Sequence, residues 1–76
     1  MKKNPLEELI NRILWNNEDA IITYIDRKNG IHFKEISGKD IEKAGTEFFF
    51  LKDGTMIPYH RIKNIKISGK DIYKKR

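Results

Sequence analysis

The stretch Met56-Ile57-Pro58-Tyr59-His60-Arg61-Ile62-Lys63-Asn64-Ile65-Lys66-Ile67 starts as a strand and then loses its parity. Met56 to Tyr59 begin an extended segment, but Pro58 has no N–H for a ladder and marks a sheet edge or the strand's end. Beyond it, a strict period of two puts Ile62 on one face and Ile65 and Ile67 on the other. A bulge or a short helical turn within residues 59–63 repairs the mismatch. His60 and Arg61 then occupy an irregular corner, the kind of place where side chains are re-aimed toward a ligand.

Upstream of this corner, residues 46–51 read as a third strand whose three phenylalanines suit a central position. Lys52-Asp53-Gly54-Thr55 turns it into the fourth. Before these, Ile21, Thr23 and Ile25 alternate with Ile22, Tyr24 and Asp26. The turn Lys28-Asn29-Gly30 follows, and a return strand carries Ile31, Phe33 and Glu35 on one face and His32, Lys34 and Ile36 on the other. Ser37-Gly38-Lys39-Asp40 breaks that strand, and residues 41–45 read as a turn or a single helical turn. Residues 64–67 and 71–74 form the last hairpin, with Lys75-Arg76 as a frayed tail.

The N-terminal segment has a different period. Asn4 is a good N-cap, Pro5 fits the first helical position and Glu7 completes the capping-box spacing. Leu6, Leu9, Ile10, Ile13 and Leu14 make one apolar stripe that Trp15 widens, and Asn16-Asn17 is a stop. Glu8, Asn11 and Arg12 face the other way, so the stripe is the core-facing side of a helix laid on a sheet. The sequence therefore predicts one α+β domain over residues 1–76. An N-terminal helix covers a curled, mostly antiparallel sheet or partly open small barrel of five to six strands. The hexapeptide Ile36-Ser37-Gly38-Lys39-Asp40-Ile41 recurs unchanged as Ile67 to Ile72, which reads as two similar turns. Neither copy has the flanking glycines of a P-loop.

Composition narrows the function. The 76 residues contain no cysteine, which removes disulfides, thiolate metal sites and thiol nucleophiles. The longest apolar run, Phe48 to Leu51, is far short of the roughly 20 residues of a membrane span, and no signal-peptide pattern is present. A cytoplasmic location is expected. The formal net charge of +5 is unevenly spread: residues 1–31 balance, residues 32–58 are net −1, and residues 59–76 are net +6. A basic final quarter favours a polyanionic partner. So small a scaffold favours binding over catalysis and points to no cofactor.

The chemistry-bearing residues are few. His32 and His60 are the only groups that titrate near neutrality without help, and neither stands at metal-ligand spacing. The triplets His32-Phe33-Lys34 and His60-Arg61-Ile62 lack the Thr or Ser of a two-histidine phosphodiesterase, and no nucleophile elbow is present. Arg61 can grip a phosphate with two parallel hydrogen bonds, and His60 can donate to the same group. Arg27 beside the first turn is a second phosphate contact if that turn folds near the corner. Tyr24, Tyr59 and Tyr73 are candidates to stack on bases or riboses, and Lys63, Lys66 and Lys74 to steer a backbone.

The run Leu51-Lys52-Asp53-Gly54-Thr55-Met56-Ile57-Pro58-Tyr59-His60-Arg61-Ile62 resembles the signature of a small archaeal family, the RNA cyclic-group end-recognition domains. Leu14-Trp15, the strand end Tyr24-Ile25-Asp26-Arg27 and the late Gly69, Ile72 and Tyr73 fit in the same order, so the resemblance covers nearly the whole chain. It implies a non-catalytic RNA-binding module that recognises terminal phosphates, in particular 2′,3′-cyclic phosphates. It also implies a role in RNA repair or processing beside a ligase or phosphoesterase acting in trans. Many relatives carry His before the first-strand Arg, where this chain has Asp26, which implies a weaker or differently built phosphate site. Competing readings are a general nucleic-acid binder driven by the C-terminal lysines, a small phosphodiesterase using His60, and a module that meets an acidic protein.

Overall fold

The computed structural model describes residues 5–27 and 30–75, so Asn4, Lys28, Asn29 and Arg76, to which the sequence assigns a cap, a turn and a tail, lie outside the described residues. Helix α1 spans Pro5–Asn16 and is followed by seven strands: β1 Ala20–Asp26, β2 His32–Ser37, β3 Ile41–Ala44, β4 Phe48–Leu51, β5 Met56–Pro58, β6 Ile62–Ile67 and β7 Lys70–Lys74. They form two antiparallel sheets, one ordered β2-β1-β6-β7 and the other β3-β4-β5. The fold is α+β, built of two sheets that do not close into a barrel. The described residues form seven strands, where five to six were predicted.

The extra strand comes from residues 41–45, predicted as a turn. The helical turn lies just upstream, a 3-10 turn over Gly38–Asp40. Ser37 Oγ accepts from Lys39 N at 3.2 Å, and Ser37 N donates to Asp40 Oδ2 at 3.2 Å, a reciprocal cap that ends the turn at once. Ile41, Lys43 and Ala44 then pair with Leu51, Phe50 and Phe49, while Glu42 is passed over as a bulge. The bulge hides the strand's alternation from a sequence reading. β4 is central in its sheet, as the three phenylalanines indicate.

The core lies between α1 and the facing sides of the two sheets. Leu6, Ile10 and Ile13 meet Ala20, Ile22, Ile41, Phe49, Leu51, Ile57, Tyr59, Ile62, Ile65 and Ile67. Trp15 does not widen the helix stripe inward: it is 87% exposed. Asn17 at φ 51° ends the helix, and Arg12 Nε to Glu18 Oε2 at 2.9 Å ties the helix to the chain leaving it. At 12 residues, α1 is neither long nor apolar enough to cross a membrane, and no helix among the described residues is.

The parity break after Pro58 is repaired twice. Tyr59–Arg61 form a second 3-10 turn, and Lys63 is skipped where β1 pairs Thr23 with Asn64 and Tyr24 with Ile62. Ile62, Ile65 and Ile67 are all buried as a result. Lys75 is not frayed: its N–H donates to Lys63 O at 2.8 Å and its Nζ to His60 O at 2.6 Å.

Tyr59 fixes this corner. It is 2% exposed, its ring stacks on Phe49 with centroids 5.8 Å apart, and its hydroxyl donates to Gly45 O at 2.7 Å. Burial, reinforced by Glu7, pushes the phenol up to about 12 from 10.0. The folded state needs the neutral phenol, so its contribution is complete below pH 10 and is lost as pH rises toward about 12. Tyr59→Phe should cost roughly 1 kcal/mol at neutral pH through the missing hydrogen bond. It should also flatten the alkaline fall in stability between pH 9 and about 12, as urea unfolding across that range would record.

The repeated hexapeptide adopts two structures. In the first copy Gly38 is buried in the capped turn, and a Cβ there would stand 2.7 Å from Ile13 Cγ2 and 3.3 Å from Ala20 Cβ. In the second, Ser68 and Gly69 have φ of 52° and 81°, the signs of a type I′ hairpin turn, and a Cβ on Gly69 would meet nothing within 4 Å. The expected pair of similar turns is therefore two different turns, with glycine chosen for space in one and for backbone sign in the other. Gly38→Ala should destabilise by about 1–3 kcal/mol through overpacking. Gly69→Asn should cost only a few tenths of a kcal/mol, since asparagine tolerates the left-handed region. Urea denaturation of the two variants checks the contrast.

Candidate phosphate-binding groove

A groove of about 710 Å³ opens where the two sheets diverge. One wall is the far end of the β1–β2 hairpin, with Tyr24, Asp26, Arg27 and Lys34; the other is the β4–β5 hairpin, with Asp53, Thr55, Met56 and Ile57. Arg61 enters from the second 3-10 turn beside Pro58. The placement follows from register. Tyr24 and Asp26 continue the face of β1 that buries Ala20 and Ile22, and Lys34 lies opposite Tyr24 on β2. Here α1 no longer covers that face, so it turns from core into groove.

Charge inside the groove is partly compensated. Lys34 Nζ stands 2.9 Å from Asp26 Oδ2, and this hydrogen-bonded ion pair holds the ammonium above its usual range. Asp53 Oδ1 accepts from Thr55 N at 2.9 Å. The Thr55 side chain, and then its N–H, hold the Asp53 carboxyl below the usual carboxylate range, so Asp53 is ionised at neutral pH. The Arg27 and Arg61 side chains make no hydrogen bond or ion pair with any described residue. Two guanidinium groups from separate elements therefore face one cavity with their donors unclaimed, next to the Tyr24 ring. Such an arrangement can take a phosphate oxygen by oxygen.

The residues singled out from sequence do not gather in one place. Tyr24, Arg27 and Arg61 line the groove together. His60 does not: it is exposed and lines a separate depression with Thr46, Glu47 and Phe48. Neighbouring side chains of a three-residue-per-turn helix point about 120° apart, so the 3-10 turn separates His60 from Arg61. The expectation that both grip one phosphate is corrected on that ground. Tyr59 is a core residue with its hydroxyl committed to Gly45, which removes it as a contact for sugar or base. Tyr73 is packed against the core beside α1. Lys66 and Lys74 are exposed on the opposite side of the four-stranded sheet, on the face that Thr23, Asn64 and Ile21 share, and Lys63 sits half-buried at the bulge.

Sequence reasoning did not single out Lys34, Asp53 or Met56 for this site. Lys34 was not detectable from turn chemistry, because a two-residue loop at Asn29-Gly30 would set it across from Ile25, whereas it pairs with Tyr24. Nor were Asp53 and Met56, because only the packing of one sheet against the other brings the second hairpin opposite the first.

A family model described as the MJ1316 RNA cyclic group end recognition domain matches residues 1–75. A UPF0248 protein of Methanococcus maripaludis is 42% identical over 77 residues, covering 93% of this chain and 99% of the relative. A UPF0248 protein of Thermococcus sibiricus is 38% identical over 81 residues, covering 100% and 91%. One from Archaeoglobus fulgidus is 39% identical over 54 residues, covering 71% and 75%. No solved structure matches the chain. On a family model spanning nearly every residue and archaeal relatives matched along most of their length, the chain belongs to the family of the MJ1316 RNA cyclic group end recognition domain.

Proposed function

We propose that the groove holds the terminal phosphate of an RNA, in particular a 2′,3′-cyclic phosphate, without cleaving it. Arg27 and Arg61 donate to the phosphate oxygens, and Tyr24 lies against the terminal sugar or base. The observation that carries this reading is the pair of unclaimed guanidinium groups lining one cavity with an aromatic ring. The family description, which names RNA cyclic-group ends, supports it. No histidine lines the groove among the described residues, which favours binding over a histidine-driven hydrolysis. The domain would present such ends to a ligase or phosphoesterase acting in trans during RNA repair or processing.

A second reading, general nucleic-acid binding, draws on Lys66 and Lys74, which face away from the groove and attract a backbone without reading an end. The two readings combine if those lysines, with Lys63, steer the RNA and the groove selects its terminus.

Short RNAs of one sequence ending in cyclic phosphate, linear 3′-phosphate or hydroxyl provide the test. The cyclic end should bind tightest, and equal affinity for all three ends defeats end recognition. Arg61→Ala and Arg27→Ala should each weaken the cyclic end by about 10- to 100-fold, the range of a lost charge-assisted hydrogen bond. His60→Ala should change it less than about twofold, because His60 faces elsewhere. Replacing Lys66 and Lys74 together by Gln should lower the salt slope of log K by up to about 1.4 while leaving the preference among ends intact.

A further inference from the structure

The three phenylalanines of β4 are not equivalent. Phe49 belongs to the core, pairs with Ile57 of β5 and stacks on Tyr59. Phe48 and Phe50 stand on the opposite face of the strand, half-buried and outside the core cluster. With their cross-strand partners they form the outer face of the three-stranded sheet: Lys43 and Met56 flank Phe50, and Pro58 stands beside Phe48. Met56 is 51% exposed. Lys43 Nζ lies over the Phe50 ring, 5.0 Å from its centroid, so the ring turns its π-face rather than its edge to that side. Packing of the core accounts for Phe49 and leaves this aromatic face unexplained.

The face adjoins the groove. Met56 and Pro58 line the groove, and Pro58 also lines the depression that Phe48 borders. Resting on the reading above, we propose that Phe50 and Phe48 are a stacking platform for the unpaired bases just upstream of the RNA terminus held in the groove. With its terminal phosphate on Arg27 and Arg61, the strand leaves past Met56 and Pro58 and lays its next bases on the sheet. Two aromatics on one face of a central strand are how sheet-surface RNA modules stack successive bases. A base displaces the Lys43 ammonium from the Phe50 ring, and the freed lysine meets a neighbouring backbone phosphate. Stacking reads a π-face, so the platform accepts single strands with little sequence preference and needs no excess of charge. Anchoring charge and selectivity for the end stay with the groove. The ligand is therefore a single-stranded RNA end, since bases stacked within a duplex cannot reach the sheet.

The experiment compares a nucleoside 2′,3′-cyclic phosphate, which reaches only the groove, with a short single-stranded RNA ending in the same group. Both are titrated into the intact protein, Phe50→Leu and Phe50→Tyr. Leucine keeps apolar bulk on the sheet and removes the π-face, whereas tyrosine keeps both. The RNA should bind the intact protein and Phe50→Tyr about 10-fold or more tighter than the mononucleotide. Phe50→Leu should lose about five- to tenfold on the RNA. It should change less than about twofold on the mononucleotide, which shows fold and groove intact. An RNA no tighter than the mononucleotide, or undiminished in Phe50→Leu, overturns the platform while leaving end recognition standing. Self-association of the intact protein that Phe50→Leu abolishes without weakening RNA overturns it too, and makes the face an interface between copies. An RNA ending in hydroxyl that binds as tightly as the cyclic end, and still weakens in Phe50→Leu, keeps the platform and defeats the groove reading.

Discussion

The corner at Tyr59 is the constraint on which the rest of the molecule depends. A buried phenol must find a partner, and this one finds Gly45 O in the loop between β3 and β4 while its ring stacks on Phe49 of β4. The same residue's N–H donates to Glu47 O at 3.2 Å. One side chain thus binds the three-stranded sheet to the chain segment that is about to become β6 of the other sheet. The 3-10 turn that Tyr59 opens is the hinge between the sheets, and Lys75 closes it from outside through His60 O and Lys63 O. Without that fixed turn, neither the angle between the sheets nor the direction of Arg61 would be defined.

The groove is a by-product of this geometry. Two small sheets share a core and separate beyond the reach of α1, so inner-face positions of β1 and β2 end in solvent. Polar residues at those positions cost nothing in the core and become the lining of a cleft. Tyr24, Asp26 and Lys34 hold the places that Ala20, Ile22 and Ile36 hold deeper in. The function class follows from which charges stand there, and two arginines with free donors point to a phosphate.

Much of this was legible along the chain. The helix stripe, the turn over residues 52–55, the central place of the Phe-rich strand and the parity break after Pro58 all follow from local periodicity and turn chemistry, which depend on near neighbours. The groove's arginines and Tyr24 were legible as residue types. Their grouping was not, and neither was the exclusion of His60, since adjacency in sequence does not say that two side chains point the same way. Trp15 and Tyr59 show the same limit from opposite sides: two aromatics, one 87% exposed and one 2%, with no local signal that tells them apart. The strand Ile41–Ala44 was hidden by a bulge, whose only cause is its partner strand.

The hexapeptide Ile-Ser-Gly-Lys-Asp-Ile divides what sequence determines from what it cannot. By itself it determines that the chain must turn at both places, because serine, glycine and aspartate offer local hydrogen bonds and backbone freedom. Only the tertiary structure decides that residues 37–40 wind into a capped 3-10 turn and residues 68–69 into a left-handed hairpin turn. Gly38 lies under Ile13 of α1 and against Ala20, where any side chain would collide, while Ser68 N is drawn to Asp19 O at 2.8 Å and the flanking strands must pair in register. Identical local energies leave both conformations open, and the long-range contacts select between them. The same holds for the net +5: the sequence placed its surplus in the last eighteen residues, and the fold divided that surplus between an arginine in the groove and lysines on the other face.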